Sequence, residues 1–407
     1  MDREYLPDLL PVPAEAVAAW AKTHGTPFYL YDEAGLEALI SRVQTAFGWN
    51  PGYVNYVRLR ENPNPALLRL LYDGGSGVSV SNGLELRLAR QCGFSGVRLL
   101  YAPTRRDPEA EALARSLGAA WLIHAQALLP DAPVPVLYLR VVRDSSYMEP
   151  AARRRQNRIK AGFTEAQLRE AVVRLRGWTS SEVGLAAYNT SYDLLPGMLA
   201  SRWTDLQKLA RQLQQETGAS IRRFYLGEGP GVVYRPSFTG PTLEEEAEAL
   251  RTAVGETDCV LSTGICKQVL ERHGLLVTSV VECRTVYRNY LVVDAGISQY
   301  LRPALHQAYR HISILGKTQP ENRRLWQVVG PTDEDLDRFS DGRMLPNCRP
   351  GDLCIVHDVG CGGRSSPMLS VGQTVAPEYL YRRDGTIVPI SPARSAEDVW
   401  TFLYGGL

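Results

Sequence analysis

Between residues 53 and 262, short apolar runs alternate eight times with helical patterns, and that rhythm limits what the chain can fold into. The runs lie near 53–59, 76–80, 97–101, 119–123, 134–142, 182–188, 223–227 and 258–262. Helical periodicity fills most of the intervals, at 65–73, 83–92, 108–117, 165–176, 200–217 and 243–253, and a further helix is expected at 33–46. Strands alternating with helices form a parallel sheet, and eight such units match a (β/α)8 barrel. Each run is short and apolar, as strands buried on both faces are. A short amphipathic helix at 13–22 and a strand at Phe28–Tyr31 precede the barrel. After about residue 275 the helical period is lost. Runs such as Leu275–Val281, Tyr290–Asp294 and Asp352–His357 are separated by Gly, Pro, Asn and Asp, which reads as an all-β domain. The expectation is an α/β fold: a TIM-like barrel over 31–274, a C-terminal β-sandwich or β-barrel domain over 275–407, and a segment, 1–30, joining the β domain.

Composition narrows the function. With 407 residues, a net charge of +1 and 44% hydrophobic residues, nothing argues for nucleic acid or membrane as a partner. The longest apolar runs fall short of the ~20 residues that span a bilayer. The N-terminus lacks a signal-peptide pattern, and the 7 scattered cysteines fit free thiols, so a cytoplasmic location is expected. Cys348, Cys354, His357 and Cys361 fit no common zinc spacing, and on a strand Cys354 and His357 would face opposite sides. No metal is expected. Lysine is scarce, at positions 22, 160, 208, 267 and 317 only.

Several segments resemble pyridoxal-phosphate (PLP) decarboxylases of fold type III, the alanine-racemase-like barrel class that includes diaminopimelate and ornithine decarboxylases. Residues 56–73 resemble the segment that carries the cofactor-binding lysine. Thr26–Asp32 resembles the entry into the barrel, and Asn82–Leu86 a helix start in which Asn82 is the N-cap. Leu301–Ile312 is close to the diaminopimelate decarboxylase pattern Arg-Pro-Ala-Leu-Tyr-x-Ala-Tyr-x-x-Ile, and Pro350–Gly360 resembles a late strand of the family. The resemblance implies the barrel-plus-β-domain fold, a homodimer in which the barrel mouth of one subunit meets the β domain of the other, and PLP as the relatives' cofactor.

The chemical positions diverge. Aligned on Asn62 and Pro65, the lysine position holds Arg60, which stays protonated and forms no Schiff base. The family's stacking histidine falls at Tyr188, in Tyr188–Ser191, and its phosphate loop becomes Gly227-Glu-Gly-Pro-Gly231. The segment whose glutamate pairs with the pyridine nitrogen becomes Gly264–Lys267, the interface cysteine becomes Asp333, and the late tyrosine becomes Gly362. No cofactor is expected on this reading, PLP being the disfavoured alternative.

What remains suits a small anionic or amino-acid-like ligand. Arg60 offers a permanent charge, either to a carboxylate or to a salt bridge with Glu85 or Glu61. Gly227, Gly229 and Gly231 offer backbone N–H groups or merely a tight turn, Ser191 a hydroxyl, and Tyr188 a ring for stacking. The resemblance makes Arg302 a contact to a distal carboxylate, with Tyr309 in the same motif. For acid–base work the candidates are His306, Lys267, Asp333 and Glu334. The alternatives are an interface role for His306 and an acidic, solvated loop for Asp333 and Glu334; Lys267 is the one lysine near the pocket that could stand in for the Schiff base, although the resemblance turns that position toward the substrate-phosphate side. Three readings stay open: a repurposed, PLP-independent biosynthetic enzyme, a non-catalytic ligand- or protein-binding homologue, and an active PLP-dependent amino-acid decarboxylase.

Overall fold

The computed structural model describes residues 10–142, 160–187, 194–235, 237–317, 322–370 and 372–405, which divide into two compact units. One unit holds residues 37–232 and 239–268; the other holds those up to 36, 233–238 and those from 269 onward. The first strand, β1 (Phe28–Asp32), belongs to the second unit.

The next eight strands close a barrel in chain order: β2 (Val54–Arg58), β3 (Gly77–Val80), β4 (Leu99–Tyr101), β5 (Ala120–Ile123), β6 (Val136–Val141), β7 (Glu182–Ala187), β8 (Arg223–Tyr225) and β9 (Val260–Thr263). Every neighbouring pair is parallel, and β2 meets β9 at Val54↔Ser262. All eight expected runs are therefore barrel strands. Val54, Tyr56, Leu100, Leu122, Val136 and Tyr138 pack inside, with Tyr225 against them. The Tyr225 ring lies 6.1 Å from that of Tyr56 and 6.2 Å from that of Tyr138. Each buried ring of this kind contributes about 1.5–3 kcal/mol, so the barrel below its mouth is a packed core. The helices begin where the sequence supplies caps. Asn64, Asn82 and Asp107 accept from backbone N–H groups of their first turns, and Thr164 and Thr242 complete capping boxes with Gln167 and Glu245. Glu246, fully buried, accepts from Gly197 N and Leu199 N, so one helix's carboxylate satisfies the start of the helix Met198–Thr217.

The second unit is built on a mixed sheet. Its further strands are β10 (Gly274–Thr285), β11 (Asn289–Val293), β12 (Ile312–Ile314), β13 (Arg324–Val329), β14 (Arg338–Leu345), β15 (Leu353–Val356), β16 (Glu378–Tyr381) and β17 (Ile387–Ser391). The order is β14-β13-β11-β10-β1-β16-β17, with β15 on β10 and β12 on β15. Val12, Val17, Phe28, Leu30, Leu275, Val277 and Ile355 form one core cluster of this unit. This is the expected C-terminal β domain, and it carries a helix that the sequence reading did not expect. The helix Ala396–Tyr404 follows the last strand, started by a capping box between Ser395 and Asp398. Among the described residues no helix is long and apolar enough to cross a membrane, and no cluster of His, Cys, Asp and Glu is placed to hold a metal ion.

His357 directly follows β15 and is 6% exposed, its Nε2 2.7 Å from Ser313 Oγ and its ring 5.0 Å from that of His311. Burial, then the neighbouring His311, pushes its pKa down to about 3. The folded chain thus refuses a proton that the unfolded chain takes up below about 6.5. The stability present above that pH should fall by about 1.4 kcal/mol per unit as the pH drops toward 3. Urea unfolding at pH 7 and pH 5 checks this: in His357→Asn the slope should flatten, and an unchanged slope removes His357 as its source.

Candidate active site

A cavity of about 140 Å³ opens at the carboxyl ends of the barrel strands, where βα-barrel proteins place their chemistry. The alternation along β2 sets its first wall. Val54 and Tyr56 face inward, and the next inward position is Arg58. Arg58 donates to Glu228 in a close ion pair, with Glu61 at 3.6 Å. Burial acts to lower the pKa of Arg58, but Glu228 and then Glu61 outweigh it and the net shift is upward. Arg60 follows on the short 3-10 turn Leu59–Glu61 and also lines the cavity. It makes no hydrogen bond or ion pair among the described residues. The anticipated partners are occupied elsewhere: Glu61 faces Arg58, and Glu85 accepts from Ser81 N at 2.6 Å and Asn82 Nδ2 at 2.9 Å.

The opposite wall comes from β5 and β6. His124 directly follows β5, and Arg140 lies near the end of β6. Burial, then the charge of Arg140, lowers the His124 pKa, so the imidazole is neutral at pH 7. Ser79 and Thr104 add hydroxyls. Tyr225 forms the floor, and burial, then Glu228, raises its pKa, so it stays a phenol. A Cβ on Gly264 would strike the Tyr225 hydroxyl, which explains glycine there. Asn55 fixes that turn: fully buried, it donates to Ile265 O at 3.1 Å and accepts from Ile265 N at 2.7 Å and from Thr263 Oγ1 at 3.0 Å.

In the glycine loop, only Glu228 lines the cavity; Gly227, Gly229 and Gly231 do not. Gly227 and Gly229 adopt φ of 78° and 125°, which favour glycine. Arg202, buried in the helix behind, donates to Leu226 O at 3.1 Å and to Glu228 O, which holds the loop. Lys267 is 7% exposed and is not in the cavity lining; none of the five lysines is. Tyr188 and Ser191 lie outside the described residues.

The remaining candidates belong to the second unit. Arg302 opens the short helix Arg302–His306, and a Cβ on Gly362 would strike its guanidinium. His306, Asp333 and Glu334 are exposed. The carboxylate with a fixed task in that acidic stretch is Asp337, which accepts from Ile297 N at 2.8 Å and Thr332 Oγ1 at 2.6 Å. Tyr309 lies under two guanidiniums, those of Arg235 and Arg343. Sequence reasoning missed Arg58, His124 and Arg140. The inward period of β2 could have found the first; the others are single polar residues ending apolar strands.

The family profile described as pyridoxal-dependent decarboxylase, C-terminal sheet domain, matches residues 28–360. Protein TabA of Pseudomonas amygdali pv. tabaci is 25% identical over 383 residues, covering 92% of this chain and 90% of that protein. Diaminopimelate decarboxylase of Deinococcus radiodurans is 29% identical, over 89% of this chain and 91% of its own. The crystal structure of diaminopimelate decarboxylase from Helicobacter pylori complexed with L-lysine superposes with a TM-score of 0.83 at 22% identity, covering 96% of this chain and 100% of that one. The chain belongs to the fold-type III family of pyridoxal-dependent decarboxylases.

Proposed function

We propose that the chain is a divergent diaminopimelate/ornithine decarboxylase-like protein that works without covalently held PLP. Its barrel mouth binds, and transforms, a small carboxylated, amino-acid-like molecule of a biosynthetic pathway. The observation that carries this reading is the cavity lining: Arg58, Arg60 and Arg140 with the neutral His124, and no lysine. These residues do not fit PLP. A covalent link needs an amine that can shed its proton, and a guanidinium keeps its own. The loop that corresponds to the phosphate loop turns the Glu228 carboxylate into the cavity, where it would repel a phosphate dianion. A carboxylate suits the site better, since guanidiniums hold it by paired hydrogen bonds. Arg60 and Arg140 would orient that group, and His124, neutral at pH 7, would accept a proton beside it.

The reading includes a homodimer in the cytoplasm. Leu325 and Met344 support the first: they pair across β13 and β14 yet remain 59% and 54% exposed. Free cysteines support the second.

The test uses the purified full chain with diaminopimelate and L-lysine as probes, the first named for the relatives' substrate and the second found in the H. pylori complex. Thermal melting should rise with at least one of them and lose that response in Arg60→Gln and Arg140→Gln. Light scattering should give twice 45.2 kDa. After incubation with PLP and borohydride, mass spectrometry should find no pyridoxyl-lysine. A pyridoxyl-lysine peptide would overturn the reading. A monomer would remove the dimer alone.

A further inference from the structure

In the second unit two of the Tyr-Arg dipeptides, Tyr234-Arg235 and Tyr309-Arg310, interlock reciprocally. Arg310 lies over the Tyr234 ring at 4.3 Å, and Arg235 over the Tyr309 ring at 4.6 Å. The two halves differ in charge balance. The inner guanidinium, Arg310, is buried and has its anion, Glu271 Oε1, at 2.5 Å. The outer half has gained a second cation instead: Arg343 lies 4.0 Å from the centroid of the same Tyr309 ring. Neither Arg235 nor Arg343 has a carboxylate partner among the described residues. The nearby Asp341 is committed to Arg338 at 2.9 Å. Among the described residues Arg343 donates only to carbonyls, Gly342 O at 3.0 Å and Arg310 O at 3.3 Å, and its buried Nε–H has no partner there. Two like charges on one ring repel each other, and each cation–π contact returns only about 0.5–1 kcal/mol at such a site. A bound anion would reduce the repulsion and offer an acceptor to the unused N–H groups.

We propose that Arg235, Tyr309 and Arg343 form a second anion site, separate from the barrel cavity, that takes a small oxyanion: a phosphate or carboxylate group. The ring holds the two guanidiniums as a preformed pair, and their N–H groups supply the hydrogen bonds. Two sources offer this chemistry, a free small anion and a carboxylate of a second copy of the chain; the charge surplus and the exposure of Arg235 favour the free anion.

Calorimetric titration of the full chain with inorganic phosphate, at an ionic strength fixed with chloride, tests the site. Saturable binding is expected. It should weaken about tenfold in Arg343→Gln and in Arg235→Gln, the loss of one charge-assisted contact. It should survive in Tyr309→Phe, which keeps the ring, and in an Arg60→Gln/Arg140→Gln variant, which disables the barrel mouth. Circular dichroism confirms folding of each variant. Phosphate binding that is absent, or equal in Arg343→Gln and wild type, overturns the proposal. So does a dimer that dissociates in Arg235→Gln while phosphate has no effect, since the anion then belongs to the partner copy.

Discussion

Arg310→Met should lower the unfolding free energy by about 3–5 kcal/mol, the cost of leaving one member of a buried ion pair without the other. The side chains of Arg310 and Glu271 are 3% and 0% exposed. Arg310 Nη2 donates to Glu271 Oε1 at 2.5 Å, Nε to the Tyr300 hydroxyl at 2.7 Å and Nη1 to Tyr309 O at 2.8 Å. The Tyr234 hydroxyl donates to the other Glu271 oxygen. Burial, and then Glu271, raises the pKa of that phenol, so it remains a donor across the working pH range. Every polar atom of the pair has a counterpart, which is the condition under which a buried ion pair offsets its desolvation. Removing the guanidinium strands the carboxylate with a single phenol. The double variant Arg310→Met/Glu271→Gln should recover a large part of the loss, because no buried charge remains. Urea unfolding of the four proteins gives the coupling. If Arg310→Met costs less than about 1 kcal/mol, or the two changes simply add, the pair is not a closed unit.

None of that network was legible in the sequence. Glu271 and Arg310 are 39 positions apart in segments that carry no common period, and only the folded sheet brings them together. The barrel was legible because its signal is local and repeated: each strand is an apolar run and most helices announce themselves with Asn, Asp or Thr caps. The helix Ala396–Tyr404 was missed for the opposite reason. It is nine residues long and follows a stretch read as strands, although the Ser395–Asp398 capping box was present in the sequence. At the barrel mouth, alignment on Asn62 and Pro65 selected Arg60, because alignment counts residues. Strand geometry counts faces, and it adds Arg58 two positions earlier. His124 and Arg140 had no motif at all. Each is one polar residue at the end of an apolar strand, and they share a wall only because β5 and β6 pair in parallel.

The Arg58–Glu228 pair should respond to substitution with opposite signs, and this separates a ligand-binding cavity from a merely structural one. Arg58 is inside the cavity but committed to Glu228, whose side chain is 12% exposed. An arriving carboxylate therefore competes with a carboxylate of the protein for the same guanidinium. Glu228→Gln removes the competitor and leaves Arg58 able to donate to the ligand, so affinity for a dicarboxylate such as glutarate should rise about tenfold. Arg58→Met removes the donor and leaves Glu228 facing the ligand with its own negative charge, so affinity should fall about tenfold. The two variants should then differ by about a hundredfold in Kd, measured by calorimetry at pH 7. Stability should move less. Arg58 is 37% exposed, so solvent screens the pair and its loss should cost about 1 kcal/mol. Raising the salt concentration should shrink both affinity changes together, since they share an electrostatic origin. Should both variants weaken glutarate binding alike, Glu228 is not competing for Arg58, and the pair serves only to hold the glycine loop against β2.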